Sequence, residues 1–118
     1  MSSLNPRLDI EDIGSVTVAR FLDRKILDEP SIELVGHELS ALVDSDARTK
    51  IILDFDLVEY LSSAALGKLI TINKKVSAAG GKLLLCNIQK DLLEIFRLTR
   101  LDQVLTLCKT LDDALDKF

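Results

Sequence analysis

The chain has 118 residues, a length that fits one domain, with 47% hydrophobic residues, 4% aromatic residues and no Trp, so its core must be aliphatic. A net charge of −4 without clustered Lys and Arg argues against nucleic-acid binding, which needs basic groups to neutralise phosphates. The two cysteines, Cys86 and Cys108, form no Cys-x-x-Cys and no Cys/His cluster, which argues against a zinc site; in their apolar runs they read as buried thiols of a reducing compartment.

Residues 1–7 read as a flexible N-terminus and 8–118 as the folded domain. The first residues carry no basic-then-apolar leader, and no apolar run reaches the roughly 18 residues of a membrane span, so the cytoplasm is the expected location. Leu8 to Ile13 and Val16 to Phe21 flank Gly14-Ser15, which predicts a hairpin.

In "DEPSIELVGHELSALVDSD", Asp28 is placed to cap a helix and Pro30 suits its first turn. Ile32, Val35, Leu39 and Leu42 then make one apolar stripe, with His37 on the outer surface. After a polar break at residues 45–49, "KIILDFD" reads as a strand covered on both faces. "SSAALGKLITINKKVSAAGG" is a helix stopped at Gly80-Gly81, and "KLLLCN" is the next strand, which completes a βαβ unit. "QKDLLEIFRLTR" is a short amphipathic helix, "VLTLC" a short strand and "TLDDALDKF" a final helix capped by Thr110. The fold class is therefore α/β: a mixed β-sheet of four to five strands with helices packed against it.

The helix after the paired serines holds the chemistry worth weighing. Projected at 100° per residue, it places Ala65, Leu66, Leu69, Ile70, Ile72, Asn73 and Val76 on a core face, where Asn73 needs a partner. The other face carries Ala64, Gly67, Lys68, Thr71 and Lys75, with Ser63 on its flank. Gly67 inside a helix costs about 1 kcal/mol against Ala. A smooth surface of small residues beside a serine suits close approach by another protein. Plain helix capping by the serines is the competing reading, since a hydroxyl at a helix start satisfies an orphan N–H, and Gly67 can equally serve core packing.

"IILDFDLVEYLSSAALGKLI", with "KILDEPSIEL" before it and "LTRLDQVLTLCKTLDDAL" after it, resembles the STAS domain family, in particular its single-domain anti-sigma factor antagonists, over residues 8–117. The resemblance implies a protein-binding switch and no enzyme. Such a switch binds an anti-sigma factor with serine kinase activity, is turned off by phosphorylation at Ser63, and is reset by a phosphatase. It further implies a partner-binding surface that includes Ser62, Ala64, Gly67, Lys68, Thr71, Asp28 and Asp56. Ala65 stands where the family usually has Gly, and Ser62 where it usually has Asp. No metal or cofactor belongs to the chain itself in this reading, and a homodimer stays open. The alternative within the fold is an unphosphorylated scaffold or accessory subunit of a transporter or signalling complex.

Two chemical readings fare worse. A nucleophilic serine needs a nearby base; the only His is His37, on another helix, and no Gly-x-Ser-x-Gly surrounds Ser63. A phospho-aspartate receiver would use Asp54, but the N-terminal "DIED" lies within a strand pattern and supplies no acidic pair for Mg²⁺; Asp54, Asp56 and Glu59 then read as ordinary loop carboxylates.

Overall fold

The computed structural model describes residues 7–45 and 47–118. Strands β1 (Leu8–Ile13) and β2 (Val16–Phe21) form the expected hairpin, turning at Gly14 with φ +62°. A two-residue strand β3 (Lys25–Ile26) leads to helix α1 (Glu29–Asp44), then come β4 (Lys50–Asp54), a second two-residue strand β5 (Tyr60–Leu61) and helix α2 (Ser63–Ala78). Strand β6 (Lys82–Cys86), helix α3 (Lys90–Leu98), a 3-10 turn (Leu101–Gln103), strand β7 (Thr106–Leu107) and helix α4 (Leu111–Leu115) complete the chain. The expectation of a flexible N-terminus falls on residues 1–6, outside those described; Arg7 itself pairs with Asp23 at 3.1 Å, and its N–H donates to Glu38.

The main sheet runs β1-β2-β4-β6-β7, antiparallel at β1–β2 and parallel elsewhere. Strand alternation sorts the core into two layers. Ala19, Ile51, Leu53, Leu83 and Leu85 meet α1, α2 and α3 on one face, whereas Val18, Ile52, Leu84 and Cys86 meet α4 on the other. That double covering explains why β4 and β6 read as unbroken apolar runs. In the larger layer Phe21 packs tilted against Phe55, and Phe55 meets Phe96 edge to face, with ring centroids 4.7 and 6.3 Å apart. Among the described residues, no helix is long and apolar enough to cross a membrane.

Helix starts follow the sequence. The Asp28 carboxylate accepts from Ser31 N–H; the Ser31 side chain first, and this N–H second, hold its pKa below the usual carboxylate range, and Pro30 sits in the first turn. Thr110 caps α4 through Asp113 N–H. The α1 stripe of Ile32, Val35, Leu39 and Leu42 is buried and His37 is exposed.

Three details depart from expectation. At the stop of α2 the two glycines have different tasks: Gly80 is left-handed at φ +78°, but Gly81 is needed for space, because an added Cβ would sit 2.9 Å from Thr49 Cα and still closer to its carbonyl oxygen. Gly81→Ala is therefore expected to lower stability by about 2–3 kcal/mol, read as a fall in the urea midpoint; an unchanged midpoint would show that the 79–82 connection gives way freely. The strand expected over Val104 to Cys108 is confined to Thr106–Leu107, because Val104 and Leu105 N–H groups close the 3-10 turn on Leu101 O. In α3, Leu92 and Phe96 are buried, whereas Ile95 and Leu98 of its apolar set are exposed.

Candidate functional site

The two short strands missed by the sequence reading assemble the site. β3 and β5 pair in parallel, Lys25 opposite Tyr60 and Ile26 opposite Leu61, and Ser62 N–H extends the contact to Ile26 O at 3.1 Å. Asp28 lies two residues beyond Ile26, and Ser63 two residues beyond Leu61. This small sheet brings the starts of α1 and α2 together at the end of the molecule where the parallel strands finish.

The two serines differ in their surroundings. Ser62 is half-buried and is the N-cap of α2; its Oγ accepts from Ala65 N–H at 3.1 Å. Ser63 is the first helical residue and exposed, with no side-chain hydrogen bond among the described residues. A negative group placed there faces the free N–H groups and positive end of the α2 dipole. Ala64 and Gly67 are exposed beside it, and Ala65 turns into the core.

Farther along α2, Thr71 is exposed and returns its hydroxyl to Gly67 O at 3.2 Å. Lys68 is half-buried, with its stem against Gly36 of α1 and its ammonium 3.5 Å from Glu33. Lys68 thus ties α2 to α1 as well as bordering the surface. Asn73 is half-exposed, and its amide donates weakly to Val104 O at 3.4 Å.

An added Cβ at Gly67 meets nothing within 4 Å, so core packing does not require glycine there. Gly67→Ala should raise stability by about 1 kcal/mol, or about 4 °C in the unfolding temperature. A fall would mean that the helix needs glycine for its own geometry.

Asp54 needs correction. It is the last residue of β4, 4% exposed, and no ordinary loop carboxylate. Its Oδ2 accepts from Arg20 Nε at 3.2 Å, and its Oδ1 from Asp56 N–H at 3.0 Å and Asn87 Nδ2 at 3.1 Å. Arg20 also bonds Glu11 at 2.7 Å, which raises its pKa first, with the Glu11 and Asp54 charges adding to the effect and partial burial opposing it. Asp54 thereby locks the ends of β2, β4 and β6 and orients the loop that carries exposed Asp56. Gln89 donates to Asp56 O at 3.0 Å from the far side.

Sequence reasoning passed over the exposed apolar side chains at this end. Leu27 is 50% exposed, Leu57 47% and Tyr60 54%. Leu27 follows β3, Leu57 precedes β5, and Tyr60 lies on β5 beneath the Lys25 ammonium, 5.5 Å from its ring centre. Apolar residues within loops were the available signal; short strands without periodicity gave no reason to gather them. Burial pushes the Cys86 thiol up to about 12, so this cysteine, at the other face of the sheet, is no nucleophile.

Comparison with known proteins agrees with this architecture. BtrV of Bordetella bronchiseptica, whose name assigns it as an anti-sigma factor antagonist, is 26% identical over 93 residues, covering 79% of this chain and 78% of BtrV. A crystal structure of an anti-sigma factor antagonist from Mycobacterium paratuberculosis superposes with a TM-score of 0.81 at 26% identity, covering 93% of this chain and 91% of that one. The Bacillus cell fate determinant SpoIIAA in its phosphorylated form shares the fold, with a TM-score of 0.69 at 19% identity over 93% of this chain and 97% of its own. The STAS domain family model matches residues 8–114, from the first residue of β1 into α4, and the chain belongs to the STAS domain family.

Proposed function

We propose that this protein is an anti-sigma factor antagonist whose partner is an anti-sigma factor with serine kinase activity, and that phosphorylation of Ser63 switches the contact off. The observation that carries the reading is the exposed Ser63 hydroxyl at the start of α2, without a hydrogen bond among the described residues, beside the start of α1 and at the end of the molecule that carries exposed Leu27, Leu57 and Tyr60. Names of similar proteins support the class of partner. The docking surface comprises Ser62, Ala64, Gly67, Lys68, Thr71, Asp28 and Asp56, joined by those three apolar residues.

Ser63 is the phosphoacceptor because Ser62 Oγ is already engaged with Ala65 N–H and half-buried. ATP and Mg²⁺ belong to the kinase. A phosphatase acting on the same exposed oxygen restores binding. Gly67→Ala, which the fold accommodates, is expected to weaken the complex, because the added methyl group lies where the partner approaches.

The test is to incubate the protein with its cognate kinase and ATP and to weigh it intact. The expected gain is one phosphate, about 80 Da for the added HPO₃, lost in Ser63→Ala and retained in Ser62→Ala. An unchanged mass together with firm partner binding would favour an unphosphorylated scaffold instead.

A further inference from the structure

The edge of the sheet farthest from the hairpin carries a second feature that the switch does not use. β7 is an edge strand, with β6 on one side and no strand on the other among the described residues. Thr106 and Leu107 stand opposite Leu84 and Leu85, and Cys108 N–H donates to Leu85 O at 2.7 Å. Alternate residues of a parallel strand bond the same neighbour, so the N–H and C=O of Leu107 face the open side.

Beside that edge runs a cleft of about 550 Å³ between α3 and the 102–109 segment. Leu93, Val104 and Leu107 supply apolar walls, and Arg97, Lys109 and Asp102 are the charged groups lining it. Among the described residues neither Arg97 nor Lys109 has an ion-pair partner. Val104 is 51% exposed, and Leu98, next to Arg97, is 76% exposed, more than any other large apolar residue described.

A short edge strand is by itself a common way of discouraging association. Two uncommitted cations, an unpaired main-chain donor and acceptor, and exposed apolar residues make a different combination. Together they fit strand addition, in which main-chain bonds give affinity and side-chain contacts give selectivity. We propose that the α3–β7 cleft binds an extended, acidic segment of a partner protein, which adds as a strand to Leu107 and sets its carboxylates against Arg97 and Lys109. This surface is separate from the Ser63 site and does not depend on its modification.

The probe is the peptide acetyl-Glu-Val-Glu-Val-Thr-Val-Glu-amide added to the ¹⁵N-labelled full chain, with a copy carrying Lys for each Glu as control. Amide shifts are expected at Leu107, its neighbours and Arg97, saturating below about 1 mM, with the Lys peptide about tenfold weaker. Combined Arg97→Glu and Lys109→Glu should weaken the acidic peptide about tenfold at unchanged unfolding temperature. Leu107→Pro should abolish its binding by removing the outward N–H; if that variant unfolds, the charge-reversed one still decides. Equal binding of both peptides, shifts confined to other surfaces, or no shifts at about 1 mM would overturn the proposal. So would protection of the Leu107 amide that grows with protein concentration alone, since a second copy would then occupy the edge.

Discussion

Replacing Ser63 with Asp, or phosphorylating it, is expected to weaken partner binding by about 100-fold or more while leaving the fold as stable as before, or slightly more stable. The two halves of this expectation have different physical sources. Within the isolated chain, a negative group at the first position of α2 meets free backbone N–H groups and the positive end of the helix dipole, which favours it by about 0.3–1 kcal/mol. Asp28, at the neighbouring helix start, is itself a carboxylate held ionised by Ser31, so it repels the new charge rather than compensating it and keeps the gain small. Within the complex, the same charge must leave water against apolar side chains such as Leu27, Leu57 and Tyr60, and a desolvated charge without a partner is disfavoured by several kcal/mol. Titration calorimetry with the anti-sigma factor, alongside thermal unfolding of the free proteins, reads both halves. Undiminished binding by Ser63→Asp would refute the switch. Weak binding accompanied by a collapse of the unfolding temperature would place the effect in the fold. Ser63→Ala should bind like the native protein, since the hydroxyl has no partner to lose among the described residues.

Asp54→Ala should cost about 3 kcal/mol, or about 10 °C or more in the unfolding temperature, a large part of a total of about 5–15 kcal/mol. The substitution deletes three hydrogen bonds at once and leaves Arg20 Nε, Asn87 Nδ2 and Asp56 N–H to find other partners. Arg20 is one-third exposed and keeps Glu11, so water recovers part of its loss; the penalty falls mainly on the other two. Asp54→Asn, which retains one acceptor oxygen, should lose roughly half as much. Because Asp54 positions the Asp56 loop, the alanine variant should also bind the partner less well than its remaining folded fraction explains. Guanidinium unfolding of both variants separates these contributions, and equal stability of Asp54→Ala and the native chain would show that the three donors are satisfied elsewhere.

Much of the architecture was legible in the residues because it rests on local rules. Period-3.6 stripes and the caps Asp28 and Thr110 mark their helices, Gly14 the hairpin turn and Gly80 the stop of α2. The apolar runs of β4 and β6 announced strands buried on both faces. Ser62 and Ser63 stood out as a pair, with Ser62 expected as the cap or a loop hydroxyl.

The sequence by itself determined the α/β class, the order of the main strands and helices, and the place of the two serines at the start of α2. Each of these depends on side chains within one or two turns of each other, where spacing and capping chemistry suffice. Only the tertiary structure decided which serine is exposed, that Asp54 is a buried tie among three strands, and that α1 and α2 begin side by side. Those facts arise from pairings between residues about 35 positions apart, such as Ile26 with Leu61 and Arg20 with Asp54. Two-residue strands and a single carboxylate have no period, so such pairings exist only once the chain has closed on itself.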